Sequence, residues 1–167
     1  MGLYEARKFV AESYAENDLI GKQLLIAYLV GKGHKIKDET FDEDYGIDIV
    51  TEYNNQKYLF EVEMKDKYDF TDEETFPFET VSFLGRKEKW KNRKYFYCII
   101  STKTKAAIFC DSDTIFNEEY KQVIHIETYN RQGLDSFYRV PKELCQFREP
   151  KDFYKQNYKE IWEQLKG

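Results

Sequence analysis

Residues 46–65 read Gly46-Ile47-Asp48-Ile49-Val50-Thr51-Glu52-Tyr53-Asn54-Asn55-Gln56-Lys57-Tyr58-Leu59-Phe60-Glu61-Val62-Glu63-Met64-Lys65. Asn54-Asn55 suits a two-residue turn, because asparagine tolerates the left-handed backbone that such turns require. That turn predicts a hairpin pairing Tyr53 with Gln56, Glu52 with Lys57, Thr51 with Tyr58 and Val50 with Leu59. Further out, Ile49 faces Phe60, Asp48 faces Glu61 and Ile47 faces Val62. Side chains alternate faces along a strand, so Ile47 and Ile49 share an apolar face with Phe60, Val62 and Met64. The other face carries Asp48, Val50, Glu52, Lys57, Leu59, Glu61, Glu63 and Lys65. A one-residue slip would turn the whole acidic set into the core, which specifies the register.

Glu52 and Lys57 make an opposite-charge cross-strand pair, whereas Asp48 opposite Glu61 destabilises the sheet unless something neutralises it. Two readings follow. A divalent cation neutralises the carboxylates, or the acids form the solvated face of an amphipathic hairpin.

The arrangement resembles the PD-(D/E)XK nuclease superfamily, which includes restriction-endonuclease-like and Holliday-junction-resolvase-like enzymes. Gly46-Ile47-Asp48-Ile49 matches the Asp at a strand start, and Glu63-Met64-Lys65 matches the following Glu-x-Lys strand. The resemblance spans roughly residues 10 to 110. It implies an α/β fold with a restriction-endonuclease-like core: a central mixed β-sheet flanked by helices in αβββαβ order, ending in a C-terminal helix. It also implies a magnesium-dependent deoxyribonuclease, an endonuclease, with manganese able to substitute. Asp48, Glu63 and Lys65 are then catalytic, and Asp48 and Glu63 hold the metal with Glu61 as an auxiliary ligand. Glu61-Val62-Glu63 is itself a Glu-x-Glu, so the second ligand is Glu61 or Glu63. Relatives often add an acid from the first helix. Glu12 and Glu16 precede the apolar helix and Gln23 lies within it; Glu16 is the candidate. The alternative function is a catalytically inactive nuclease-fold subunit for DNA binding or assembly. A third is a protein-interaction module with an acidic face.

Phosphodiester hydrolysis needs charge stabilisation on the phosphate oxygens and a nucleophilic water at neutral pH, and a metal supplies both. Magnesium takes one or two carboxylates plus waters and substrate phosphate. A neighbouring lysine stabilises developing negative charge.

Around this stretch, Leu19 to Val30 forms an apolar helix stopped by Gly31 and Gly33, with Asp18 as a candidate N-cap. A short strand is expected at His34 to Lys37, a helix at Val81 to Lys91, and strands at Tyr95 to Ile100 and Ile108 to Cys110. Ser101 to Lys105 reads as the turn between those two strands, and Gln122 to Glu127 as a further strand of the sheet. Pro150 to Lys166 reads as one closing amphipathic helix. The expected organisation is a single domain over residues 1–167, with residues 112–167 extending the core as strands and a helix.

The chain has 167 residues, a net charge of −5 and a pI of about 5.2, which counts against a dedicated high-affinity DNA binder. Base is concentrated instead at Arg86, Lys87, Lys89, Lys91, Arg93 and Lys94, around Trp90. Cations interleaved with an aromatic suit a track for a nucleic-acid backbone. The other reading is a solvated surface with Trp90 turned into the core. Three cysteines without metal-ligand spacing point to a reducing compartment, hence cytoplasm. No stretch has the apolar length of a membrane span, and the expected partners are DNA and a second copy in a homodimer. His34 and His125, the only histidines, read as structural.

Overall fold

The computed structural model describes residues 3–128 and 131–167, with side chains described for 16–42, 44–85, 89–123 and 136–167. Its first element is a long helix, α1 (Leu3–Gly31). Strands β1 (Lys35–Ile36), β2 (Ile49–Tyr53), β3 (Gln56–Lys65) and β4 (Thr80–Leu84) follow, then β5 (Tyr95–Ser101) and β6 (Ala107–Asp111). A short helix α2 (Ser112–Ile115) leads to β7 (Lys121–Thr128), β8 (Arg131–Pro141) and β9 (Gln146–Arg148). Helices α3 (Pro150–Phe153) and α4 (Tyr158–Lys166) close the chain.

The strands form a six-stranded mixed sheet in the order β1-β2-β3-β5-β6-β9 and a three-stranded antiparallel sheet, β4-β8-β7. Within the first, β3 and β5 are parallel and the other neighbours antiparallel. The molecule is therefore α/β with a C-terminal helix. Leu24, Leu25, Phe153 and Trp162 from the helices pack on Ile49, Phe60, Cys98 and Ile100 of the large sheet. On the opposite side Val50, Leu59, Tyr97 and Ile99 pack with Val81, Phe83, Tyr138 and Val140 of the small sheet. The large sheet is thus covered on both faces, by helices on one and by a second sheet on the other. Each aliphatic or phenyl side chain buried in these layers contributes about 1.5–3 kcal/mol.

The hairpin register from Ile49↔Phe60 to Tyr53↔Gln56 is as the sequence predicts. Asn54 and Asn55 have φ of 51° and 62°, the left-handed pair of such a turn. Strand β2 begins at Ile49, so Asp48 precedes the ladder. The face that carries the acids is buried at Val50, Leu59 and Glu61, half-buried at Glu63 and Lys65, and open to solvent near the turn, where Lys57 is exposed. Ile47 also changes sides, packing in the cluster of Val50 and Leu59 instead of with Ile49.

Other expectations need correction. Asp18 is not an N-cap, because α1 starts fifteen residues earlier, with neither glycine nor proline between Leu3 and Ile20 to interrupt it. The helix expected at Val81–Lys91 is strand β4 followed by a 3-10 helix, Gly85–Trp90. Val81 and Phe83 alternate with half-buried neighbours, which is the strand period of two. Strand β7 joins the small sheet, not the central one. The closing helix is two helices, broken between Tyr154 and Asn157; Pro150 does open the first. The Ser101–Lys105 turn lies where expected, with Lys105 at φ 65°. No helix among the described residues is long and apolar enough to cross a membrane.

Candidate functional site

The chain enters the site from the loop before β2. Thr40 is buried, and its Oγ1 donates to the Val50 carbonyl at 3.0 Å while accepting from the Val50 N–H at 2.9 Å. Gly46 then adopts φ +84°, a backbone that side chains with a Cβ resist, and delivers Asp48 to the strand start. The Val62 backbone N–H donates to Asp48 Oδ2 at 3.0 Å, so this carboxylate replaces the ladder partner that β2 does not supply.

Opposite it, β3 presents Glu61, Glu63 and Lys65 on one face by its period of two. Glu61 is 4% exposed, and its parallel neighbour across the rung is Tyr97. Glu63 and Lys65 are half-buried. The Tyr97 hydroxyl donates to Glu63 Oε1 at 3.4 Å, and Lys65 Nζ lies 3.5 Å from the same oxygen. The Lys65 ammonium also donates to the Ser82 carbonyl at 3.5 Å and sits 4.6 Å from the Tyr68 ring centroid. Strand β4 and the loop after β3 therefore hold the lysine over the carboxylates.

These groups line one cleft of about 590 Å³. Asp18, Asp48, Glu61, Glu63 and Asp66 outnumber Lys65 and Lys67 in its walls. Partial burial, followed by the charge of Asp48, raises the Asp18 carboxyl above its ordinary range. Burial first, then Glu61 and other nearby charges, pushes the Tyr95 phenol far above its usual range, so it stays protonated. Its buried hydroxyl has no hydrogen-bond partner among the described residues.

Asp48, Glu61, Glu63 and Lys65 are thus brought together. Glu16 is exposed and does not line the cleft; among the described residues, those of α1 that do are Asn17 and Asp18. Among the described residues, no three His, Cys, Asp or Glu side chains are grouped closely enough to hold a metal ion by themselves. A site built for magnesium does not require three, since waters and phosphate fill the remaining positions.

The basic segment stands outside the cleft lining among the described residues. The side chains of Arg86 and Lys87, like those of Glu12 and His125, lie outside the described residues. Lys89, Lys91 and Arg93 are exposed, and Trp90 packs partly into the core between Lys89 and Arg93, whose cationic groups lie 5.4 and 5.9 Å from its ring centroid. The Lys89 ammonium lies 3.9 Å from where a Cβ on Gly46 would stand, close to the turn that delivers Asp48.

Sequence reasoning missed Asp18 and Tyr97. Asp18 was legible only as a polar residue at the edge of an apolar helix. Tyr97 shares a face of β5 with Tyr95 and Ile99, and nothing local marks it as facing the acids. Compared with known proteins, the chain matches no family model, no curated protein and no solved structure, so its own geometry carries the functional reading.

Proposed function

We propose that this protein is a metal-dependent nuclease with a restriction-endonuclease-like core, hydrolysing phosphodiester bonds of DNA. The observation that carries the reading is the convergence of Asp48 with Glu61, Glu63 and Lys65 on one acid-rich cleft. The strand plan supports it: an antiparallel β1-β2-β3 meander leads to β5, parallel to β3. The crossover departs from the αβββαβ plan, carrying β4 and a 3-10 helix instead of an α-helix.

The donor set consists of carboxylate oxygens in a cleft with surplus negative charge, which suits magnesium. Asp48 with Glu61 or Glu63 would hold the ion, with Asp18 nearby. When bound, the metal polarises the phosphate and lowers the pKa of a water. Lys65 supplies a fixed positive charge for the transition state, already oriented by Glu63 and the Ser82 carbonyl. Tyr97 holds Glu63 in place through its hydroxyl. Lys89 offers a phosphate contact beside the Gly46 turn, and exposed Lys91 and Arg93 extend the basic segment.

Conversion of supercoiled plasmid to nicked or linear DNA in magnesium or manganese tests the proposal. Glu63→Gln and Lys65→Met are each expected to slow it about 100-fold or more, with the fold intact. A second reading, an inactive DNA-binding or assembly subunit, draws on the Glu63–Lys65 ion pair, which leaves Glu63 neutralised by the protein itself. Binding of DNA that survives both substitutions, with no cleavage by the wild-type chain in either metal, would favour it.

A further inference from the structure

A second hollow, of about 260 Å³, opens on the helix-bearing face of the central sheet where α1 ends. Its wall is built from rings. His34 lies flat on Tyr53, with centroids 4.7 Å apart and planes inclined by 14°. Tyr58 meets the same imidazole edge-on at 5.6 Å. The His34 ring is fixed by Nδ1, 2.8 Å from Thr51 Oγ1, and burial lowers its pKa so that it is neutral at pH 7. Tyr53 is 37% exposed, which leaves the stack open to solvent.

The charge of the hollow is opposite to that of the chain. Lys32 and Arg148 line it, and no Asp or Glu does among the described residues, although the protein carries a net −5. Both cations converge on one ring: Lys32 Nζ lies 5.6 Å from the Tyr28 ring centroid, and Arg148 Nε donates to the Tyr28 hydroxyl at 3.1 Å. An occupant that complements these walls has a flat ring and a negative charge a few ångströms from it.

We propose that this hollow binds one nucleotide unit of a single-stranded nucleic acid, its base on the Tyr53–His34 stack and its phosphate at Lys32 and Arg148. Stacking of a base on an aromatic side chain contributes about 1–3 kcal/mol and tolerates any base. A purely apolar peptide would leave the two cations unmatched. The site is separate from the acidic cleft: Asp18 and Tyr28 lie on the same helix, about 15 Å apart at 1.5 Å per residue. Binding here does not depend on whether the cleft cuts.

Fluorescence anisotropy of a labelled oligothymidylate with the intact chain in EDTA tests the proposal, since cleavage is then excluded from the readout. Tyr53→Ala and Lys32→Glu alter exposed side chains and are each expected to weaken binding about fivefold or more. Tyr53→Trp should retain affinity, and Asp48→Asn, which removes a cleft acid, should not weaken it. Absence of binding by the wild-type chain, or wild-type affinity in Tyr53→Ala or in Lys32→Glu, would overturn the proposal. So would displacement of the oligonucleotide by a random Glu-Tyr copolymer that binds more tightly, which would assign the hollow to acidic peptides.

Discussion

Asp48 holds the end of a sheet strand with the same carboxylate that faces the cleft. Asp48→Ala leaves the Val62 N–H without its acceptor at a part-buried position, which costs about 1–2 kcal/mol. Asp48→Asn keeps an oxygen there and should cost less than Asp48→Ala in urea denaturation, while both remove the charge that a metal needs. His34 gives a pH signature. Burial lowers its pKa below the ordinary 6.5, so in the window just below 6.5 the unfolded chain binds more protons than the folded one. The stability that the neutral ring contributes is present above this window and is lost as pH falls through it. The advantage of the wild-type chain over His34→Gln in urea midpoint should therefore shrink between pH 7.5 and pH 5; a constant gap would contradict this. Asp48, Glu63 and Lys65 were legible because strand alternation places them without knowledge of any other element. Tyr97 was not, because its hydroxyl reaches Glu63 from a strand 34 positions later.

The β2–β3 hairpin was legible from Ile49↔Phe60 to its turn, since that register follows from two asparagines and an alternating pattern; the expected pairs further out, Asp48 with Glu61 and Ile47 with Val62, fall outside the ladder. Asn54→Val places a β-branched residue at φ 51° and should cost about 1–2 kcal/mol by thermal denaturation. Strand β4 was not legible. Val81 and Phe83 are only two alternating apolar residues, and the partner that decides their state, β8, comes some fifty residues later. The junction between β4 and the basic segment is tight. A Cβ on Gly85 would stand 2.0 Å from Ser136 Oγ and 2.5 Å from its carbonyl oxygen. Because backbone has to move, Gly85→Ala should cost roughly 3 kcal/mol or more and loosen the packing of β4 on β8. Hydrogen exchange at β4 amides is the sensitive measurement, and unchanged protection would show that the junction yields.

At the scale of the whole molecule the two hollows differ in charge: among the described residues, acids outnumber lysines along the cleft, whereas Lys32 and Arg148 line the ring-walled hollow with no Asp or Glu. Element order together with the nuclease-superfamily resemblance of Asp48 and Glu63-Met64-Lys65 was enough to read an α/β fold with a mixed sheet. They did not reveal the second sheet, which is assembled from β4 and two later strands and has no contiguous signal in the sequence. That layer matters to the site, because it supplies the Ser82 carbonyl that orients Lys65 and the Phe83 ring that packs against Tyr97. A cation that binds the folded cleft but not the unfolded chain stabilises the fold, so under the proposed function manganese at about 100 times its Kd should stabilise the chain by about 2.7 kcal/mol. A thermal shift read in wild type and lost in Asp48→Asn checks this. The most direct measurement is a crystal of the chain soaked in manganese chloride and examined for anomalous density. The proposed metal site requires a peak within coordinating distance of Asp48 and of Glu61 or Glu63. A soaked cleft with no peak there, or a peak held only by Asp18 and Asp66, would contradict it.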